Sequence, residues 1–224
     1  MESENSSQAD GGGAAHTRRA LVGAALRLFG RKGFDGTSTR EIAAEAGANI
    51  GSIAYHFGSK EGLRLAAADH IVQTMEAVAL RAADASRPPA SAEEAEGQLV
   101  FAMQTMLNFL IARPEAAEFV PFLLRELSNP TAALDRIYSG VFEPVHKRFC
   151  GIWEAATGEP AESDAAKLAV FTMIGQAVYF RIAREAVLRR MGWDTIGPDD
   201  AARIVAVATR NLRAAIAARR EQRP

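Results

Sequence analysis

The stretch that decides the fold is TSTREIAAEAGANIGSIAYHFGSKEGL, residues 37–63. Ser38 and Glu41 form a capping box, in which the hydroxyl accepts the third helical amide and the carboxylate reaches back to the cap amide. The spacing predicts a short helix to Ala46, with Ile42, Ala43 and Ala46 inward and Gly47 as its stop. Asn49 can cap a second short helix whose inner face is Ile53 and Phe57, and Gly58 closes it. Ser59 then caps a longer helix through Leu63, Ala67, Ile71 and Met75 toward Ser86, stopped by Pro88-Pro89. Two short helices joined by a glycine turn make a helix-turn-helix over residues 38–57. In that motif the second helix enters the major groove and the first crosses the backbone. Its outward residues are Thr39, Arg40, Asn49, Ile50, Gly51, Ser52, Tyr55 and His56. Gly51 lets the backbone approach, Asn49 and Ser52 can read base edges, and Tyr55 and Lys60 suit phosphates. From spacing alone, an αα-corner in an ordinary core, with Tyr55 and His56 as packing, accounts for the same residues equally well.

Upstream, Leu21, Ala24, Ala25, Leu28 and Phe29 share one helical face, while Arg18, Arg19, Arg27, Arg31 and Lys32 lie off it. Gly33 ends that helix. Residues 1–15 read as a flexible arm, and Gly11-Gly12-Gly13 lacks the strand and Lys-Ser/Thr of a phosphate loop. Downstream, helices are expected over 91–112, over 115–127 with a kink at Pro121, and from Asn129-Pro130 through Phe149. Ser163 caps another to about Arg190, and Gly197-Pro198 opens the last. No period-2 strand pattern is present, so the expected class is all-α.

Composition narrows the function. The chain has 224 residues, 48% hydrophobic and 24% charged, which suits a globular protein rather than a disordered one. A single cysteine, Cys150, rules out a disulfide scaffold and fits a reducing compartment. The longest apolar run, Leu168–Phe180, falls short of the ~18 residues of a membrane span, and the polar N-terminus is unlike a secretory signal. A cytoplasmic protein with no membrane partner is expected. Between His16 and Lys60 there are seven cations (Arg18, Arg19, Arg27, Arg31, Lys32, Arg40, Lys60) and three anions, a local +4 in a chain of net −1. That polarity points to an anionic partner at this end.

The segments 37–47 and 51–63, preceded by ALRLFGRKGF at 25–34, resemble the DNA-binding domain of TetR-family regulators. The resemblance covers about residues 16–70. It implies an N-terminal three-helix helix-turn-helix domain and a C-terminal helical domain for ligand binding and dimerisation. The implied protein is a homodimer that binds a near-palindromic double-stranded operator and releases it when a small-molecule effector enters. Carried over by position, Thr39 and Arg40 touch DNA from the second helix, Ser52, Tyr55 and His56 from the recognition helix, and Lys60 clamps a phosphate. Ala54 stands where many members have Tyr, so one common contact is absent. Further downstream, FLLREL at 122–127 before Pro130, IGQAVYFR at 174–181 and RRMGW at 189–193 resemble the CecR (YbiH-type) branch.

The expected division is a 1–15 arm, a 16–60 DNA-binding domain and a 61–224 effector and dimerisation domain. Helices five to eight should enclose the effector, with Met103, Met106, Phe109, Phe119, Phe122, Phe171 and Tyr179 lining it and Gln176 and Arg181 as polar anchors. Plain core packing explains the same Met and Phe positions, and a core amide bond explains Gln176 equally well. Leu168, Phe171, Gly175, Val178 and Ile182 form one stripe, and Val205, Ala208, Leu212 and Ile216 another. By the resemblance both pair with their twins in the dimer. Enzyme chemistry finds little support. Glu143 and His146 have the spacing of a di-iron ligand pair, but no second pair exists and Pro144 sits inside. His146 and Cys150 lack further metal ligands. No cofactor, metal or catalytic residue is expected. The alternative is an all-α small-molecule-binding or helical enzyme module with a vestigial helix-turn-helix.

Overall fold

Serine caps open several of the helices. The computed structural model describes residues 6–82 and 88–221, and among them every regular element is helical. Eleven α-helices follow in order: α1 (Ser6–Lys32), α2 (Thr39–Glu45), α3 (Gly51–Phe57), α4 (Lys60–Ala82), α5 (Ala92–Ala112), α6 (Pro114–Ser128), α7 (Ala132–Ile137), α8 (Glu143–Thr157), α9 (Asp164–Ile182), α10 (Arg184–Met191) and α11 (Pro198–Glu221). Ser38, Ser59, Ser91 and Ser163 each accept an amide of the first turn they precede. The Ser38–Glu41 capping box is complete in both directions.

Four boundaries differ from expectation. Helix α1 begins at Ser6, so described residues of the expected arm are helical; residues 1–5 lie outside the described residues. Extending a helix already nucleated at Thr17–Lys32 needs no second costly nucleus, which lets even Gly11–Gly13 join. Thr131, not Asn129, caps α7, its hydroxyl accepting the Ala133 amide at 3.3 Å. The helix expected through Phe149 is interrupted by a π-helical turn at 138–142, which lets α8 restart with Pro144 in its first turn, where no amide is needed. Helix α9 stops at Ile182 rather than near Arg190, and α10 follows after Ala183.

The chain forms two compact units. The first comprises Met1–Gln73 and Ala117–Tyr138, the second Thr74–Ala116 and Ser139–Pro224. In the first, Leu21, Leu26 and Phe29 of α1, Ile42 of α2, Ile53 of α3, Leu63 and Ile71 of α4 and Phe122 of α6 form one buried core. Burying each such side chain contributes about 1.5–3 kcal/mol. Pro121, inside α6, lies where α1 and α6 cross, and the crossing is tight. A Cβ on Gly30 would stand 3.0 Å from both the Phe122 nitrogen and the Pro121 Cβ. Arg125, one turn further along α6, donates to the Gly30 and Arg31 carbonyls at 2.7 and 2.9 Å, capping the end of α1.

In the second unit α5 packs against α8, α9 and α11, and α10 against α9. Leu99, Met103, Leu107, Trp153, Val170, Met173, Leu212 and Ile216 fill its interior. Arg220 staples three helices, donating to the Ala156 and Ala92 carbonyls and to Glu96. Ala208, Leu212 and Ile216 therefore face this chain's own core, which corrects the expectation that they form a dimer stripe. The α9 stripe is different: its Leu168, Phe171 and Ile182 are half to two-thirds exposed, as is the adjacent Tyr179, while Val178 is half-buried. With 19 residues at hydropathy 1.2, α9 is also long and apolar enough to cross a membrane, contrary to the count of apolar residues in the sequence. One such helix is weak evidence for a membrane protein.

Gly30→Val should destabilise the protein by roughly 1–3 kcal/mol through overpacking against α6. Urea unfolding followed by helical circular dichroism checks this, and a midpoint no lower than wild type would contradict the close crossing.

Candidate nucleic-acid interface

The interface is built from local rules. The capping box starts α2, Gly47 turns the chain at φ +62°, and Asn49 directs it into α3. Asn49 Oδ1 accepts the Gly51 amide at 2.8 Å while its carbonyl accepts the Ser52 amide at 2.9 Å. It thus satisfies two of the amides that a helix start leaves open, although Ile50 occupies the cap position itself. Asn49's side-chain oxygen is engaged in this turn, leaving its NH2 group as the donor that can face outward. Gly62 seals the far end of α3, since any Cβ there would collide with the Phe57 carbonyl.

The resulting faces are distinct. Ile53 is buried at 3% exposure, whereas Tyr55 is 81% exposed. Arg40, Asn49 and Gly51 are exposed, and Thr39, Ser52 and His56 half-buried. Tyr55 stands edge-on to His56 at 4.8 Å between centroids, and Arg18 lies 5.4 Å over Phe57 behind them. Tyr55 does not pack inside, as an ordinary helix corner would require. Lys60 is half-buried, donating to the Phe34 carbonyl at 2.5 Å with its ammonium 4.1 Å from the Phe34 ring centroid. Two of its N–H groups remain for an anion.

Three of the seven cations are held in ion pairs inside the motif. Arg27 and Arg31 share Glu45 at 2.8 and 3.0 Å, Arg27 also approaches Glu118 at 3.6 Å, and Lys32 pairs with Glu41 at 2.7 Å. These three cations hold α2 onto α1. Among the described residues, Arg18, Arg19, Arg40 and Lys60 have no carboxylate partner, so they carry the positive face. The Lys32 ammonium, then the Ser38 amide and hydroxyl, hold the Glu41 carboxyl at about 2, down from 4.5.

The residues expected around an effector do not gather. Phe119 and Phe122 belong to the first unit, Phe122 in its core 6.4 Å from Phe29, so neither lines a pocket in the second. Phe171 and Tyr179 sit on the exposed face of α9, Phe171 stacked on His146 at 4.0 Å. Met103 is fully buried, Met106 and Phe109 half-buried, and Gln176 accepts a hydrogen bond from Asn211 at 3.1 Å. Two grooves of about 570 and 550 Å³ open elsewhere in this unit. The first includes Ala92, Thr157 and Arg220, the second Trp153, Leu168, Thr172 and Ala215. Sequence reasoning missed Arg148 and Thr209, whose buried Nη2 and Oγ1 have no partner. Nothing in their spacing distinguishes them from solvated positions.

Among the described residues no three His, Cys, Asp or Glu side chains converge. His146 Nε2 lies 3.2 Å from the Lys167 carbonyl, which only an N–H can satisfy, leaving Nδ1 to face the Cys150 thiol at 3.6 Å. Burial pushes that thiol up, away from the reactive thiolate.

A helix-turn-helix with an exposed polar recognition face, on an otherwise all-helical chain, defines a DNA-binding regulator. Comparison with known proteins narrows the class. Residues 21–67 match the model of bacterial regulatory proteins of the tetR family, and residues 95–219 that of the C-terminal domain of the HTH-type transcriptional dual regulator CecR. The CecR protein of Shigella flexneri is 34% identical over 180 residues, spanning 79% of this chain and 80% of its own. The probable HTH-type transcriptional regulator YttP of Bacillus subtilis is 28% identical over 55% of this chain and 56% of its own. In fold, the chain is similar to AibR in complex with isovaleryl coenzyme A and operator DNA, with a TM-score of 0.64 at 17% identity, covering 86% of this chain and 96% of that one. It is also similar to SCO4454 of Streptomyces coelicolor, with a TM-score of 0.65 at 16% identity over 92% and 97%. The chain belongs to the TetR family of transcriptional regulators, in the CecR branch.

Because the folded-state value of Glu41 is lowered, its contribution is complete above pH 4.5 and disappears as pH falls toward 2. The melting temperature of Glu41→Gln should lie below wild type at neutral pH, and the gap should close on acidification toward pH 2. A gap that stays constant across that window would show that the carboxylate is not held by Lys32 and Ser38.

Proposed function

We propose that this chain acts as a homodimeric repressor, released from a near-palindromic operator by a small molecule. The observation that carries it is the two-sided α3, with Ile53 held inside and Tyr55 almost wholly outside. In this reading residues 16–60 serve DNA and 61–224 serve effector and dimer. Ser52, Tyr55, His56 and the Asn49 amide meet base edges or backbone in the groove. Gly51 permits the close approach, and Thr39, Arg40 and Lys60 hold phosphates. The protein works by binding rather than turnover, and in the cytoplasm, where its DNA is.

The exposed apolar face of α9 supports the dimer. Four large apolar side chains on one helix exceed the scattered exposure normal for a monomer and suit the same face of a second copy related by a two-fold axis. Phe171 and Tyr179 are assigned to that face. For the effector, the half-buried Arg148 and buried Thr209, whose Nη2 and Oγ1 have no partner, join Met103, Met106, Phe109 and Gln176 as candidate contacts, and the likeness to AibR with its coenzyme A ester favours a ligand carrying acceptor groups. Ligand entry shifts α4 and spreads the recognition helices, and a coupling of about 1–3 kcal/mol would change operator affinity 5- to 150-fold.

Two measurements test this. In gel shifts with the DNA upstream of its own gene, Lys60→Ala should weaken binding to all duplexes alike and flatten the salt dependence by about 0.9 for each phosphate no longer neutralised, whereas Ser52→Ala should change base preference. Identical behaviour of both variants and wild type at every salt concentration would remove the interface. Separately, Leu168→Glu should yield monomers by light scattering and weaken operator binding on the order of tenfold or more, because it would bury an unpaired charge. A variant that remains dimeric would move the dimer contact away from α9.

A further inference from the structure

Five side chains, of which only Lys60 and Arg64 lie a helical turn apart in sequence, meet behind the α3–α4 turn. Arg64, one turn into α4 from Lys60, donates to Glu126 Oε1 from Nη2 at 2.7 Å and from Nε at 2.8 Å. Glu126, on α6, is only 2% exposed, and its other oxygen accepts from Thr131 Oγ1 at 2.6 Å. The same Arg64 guanidinium lies 4.7 Å from the centroid of the Phe34 ring. Lys60 stands 4.1 Å from that centroid and donates to the Phe34 carbonyl. One aromatic residue therefore holds two cations. The only other carboxylate near Arg64 among the described ion pairs is Glu61, more exposed and 3.9 Å away.

An aromatic face attracts a cation, but two cations on one ring repel each other. The arrangement persists because Arg64 is paired with a carboxylate shielded from water, where a charge-assisted hydrogen-bonded pair is strong and little screened by salt. Without that negative charge, Arg64 is left with the more exposed Glu61 carboxylate 3.9 Å away and the Phe34 ring that also holds Lys60. The hold on Lys60 thus depends on a residue 66 positions away in sequence.

We propose that Glu126 is a positioning residue for DNA binding: through Arg64 and Phe34 it sets where the Lys60 ammonium stands at the phosphate surface. This rests on the reading of Lys60 as a phosphate contact. It adds a determinant on α6, which contributes nothing to the recognition motif itself.

The test is a double-mutant cycle on the full-length protein, with a duplex that the wild type selects from a random-sequence pool as the probe. Fluorescence anisotropy over a range of salt concentrations would give affinity and salt slope for Lys60→Ala, Glu126→Gln and the double variant. Glu126→Gln should reproduce the weakening caused by Lys60→Ala, flatten the slope by the same amount, about 0.9 per phosphate, and add nothing in the Lys60→Ala background. Phe34→Leu, which keeps the ion pair but removes the ring, should behave alike, and it decides the matter if Glu126→Gln loses its helical circular dichroism. If either variant weakens binding as much without Lys60 as with it, or leaves the salt slope untouched, the effect does not pass through Lys60 and the proposal falls. If Lys60→Ala alone changes nothing, the phosphate reading fails first, and the proposal with it.

Discussion

The first unit depends on how closely α1 and α6 can cross. Gly30 has no side chain, so the Pro121–Phe122 backbone can lie against α1, bring Phe122 onto Phe29 and place Arg125 at the open carbonyls of α1's last turn. A methyl group in that gap would have to displace backbone, and tightly packed interiors do not yield without cost. The same α1 packs directly against α2 and α3. The helix-turn-helix is therefore not a free-standing trihelical module here, because a segment from residues 117–138 is part of its core.

Charge is deployed in the same spirit. Most cations of α1 act as rivets: Arg27, Arg31 and Lys32 fix α2 through Glu45 and Glu41. Such exposed pairs are individually worth at most about 1 kcal/mol. Their value lies in setting the register of α2 on α1 beside the capping box. The cations left for an external anion are Arg18, Arg19, Arg40 and Lys60, of which Arg18 lies over Phe57 of α3 and Lys60 over Phe34.

What could be read in the sequence was local. Ser38 with Glu41, Ser59, Ser91 and Ser163 announce helix starts because the cap and the amide it satisfies are three residues apart. The faces of α2 and α3 were legible for the same reason. Less legible was anything whose partner is distant. Arg125 reaches Gly30 and Glu126 reaches Arg64, and no periodicity records either. Periodicity also could not say what a stripe faces: Leu212 and Ile216 turn into their own unit while Leu168 and Phe171 turn out, with similar spacing on both helices. Phe122 was misplaced because its neighbour is Phe29, nearly a hundred residues upstream.

The rivets between α1 and α2 bear on how such a regulator finds its site. Positive charge tied up in Glu41 and Glu45 cannot be used to grip arbitrary duplex, and sequence-independent grip is what detains a protein on the rest of a chromosome. A chain with four cations outside carboxylate pairs in this region instead of seven leaves more of its copies in solution, searching. Fewer molecules per cell then suffice to keep an operator filled.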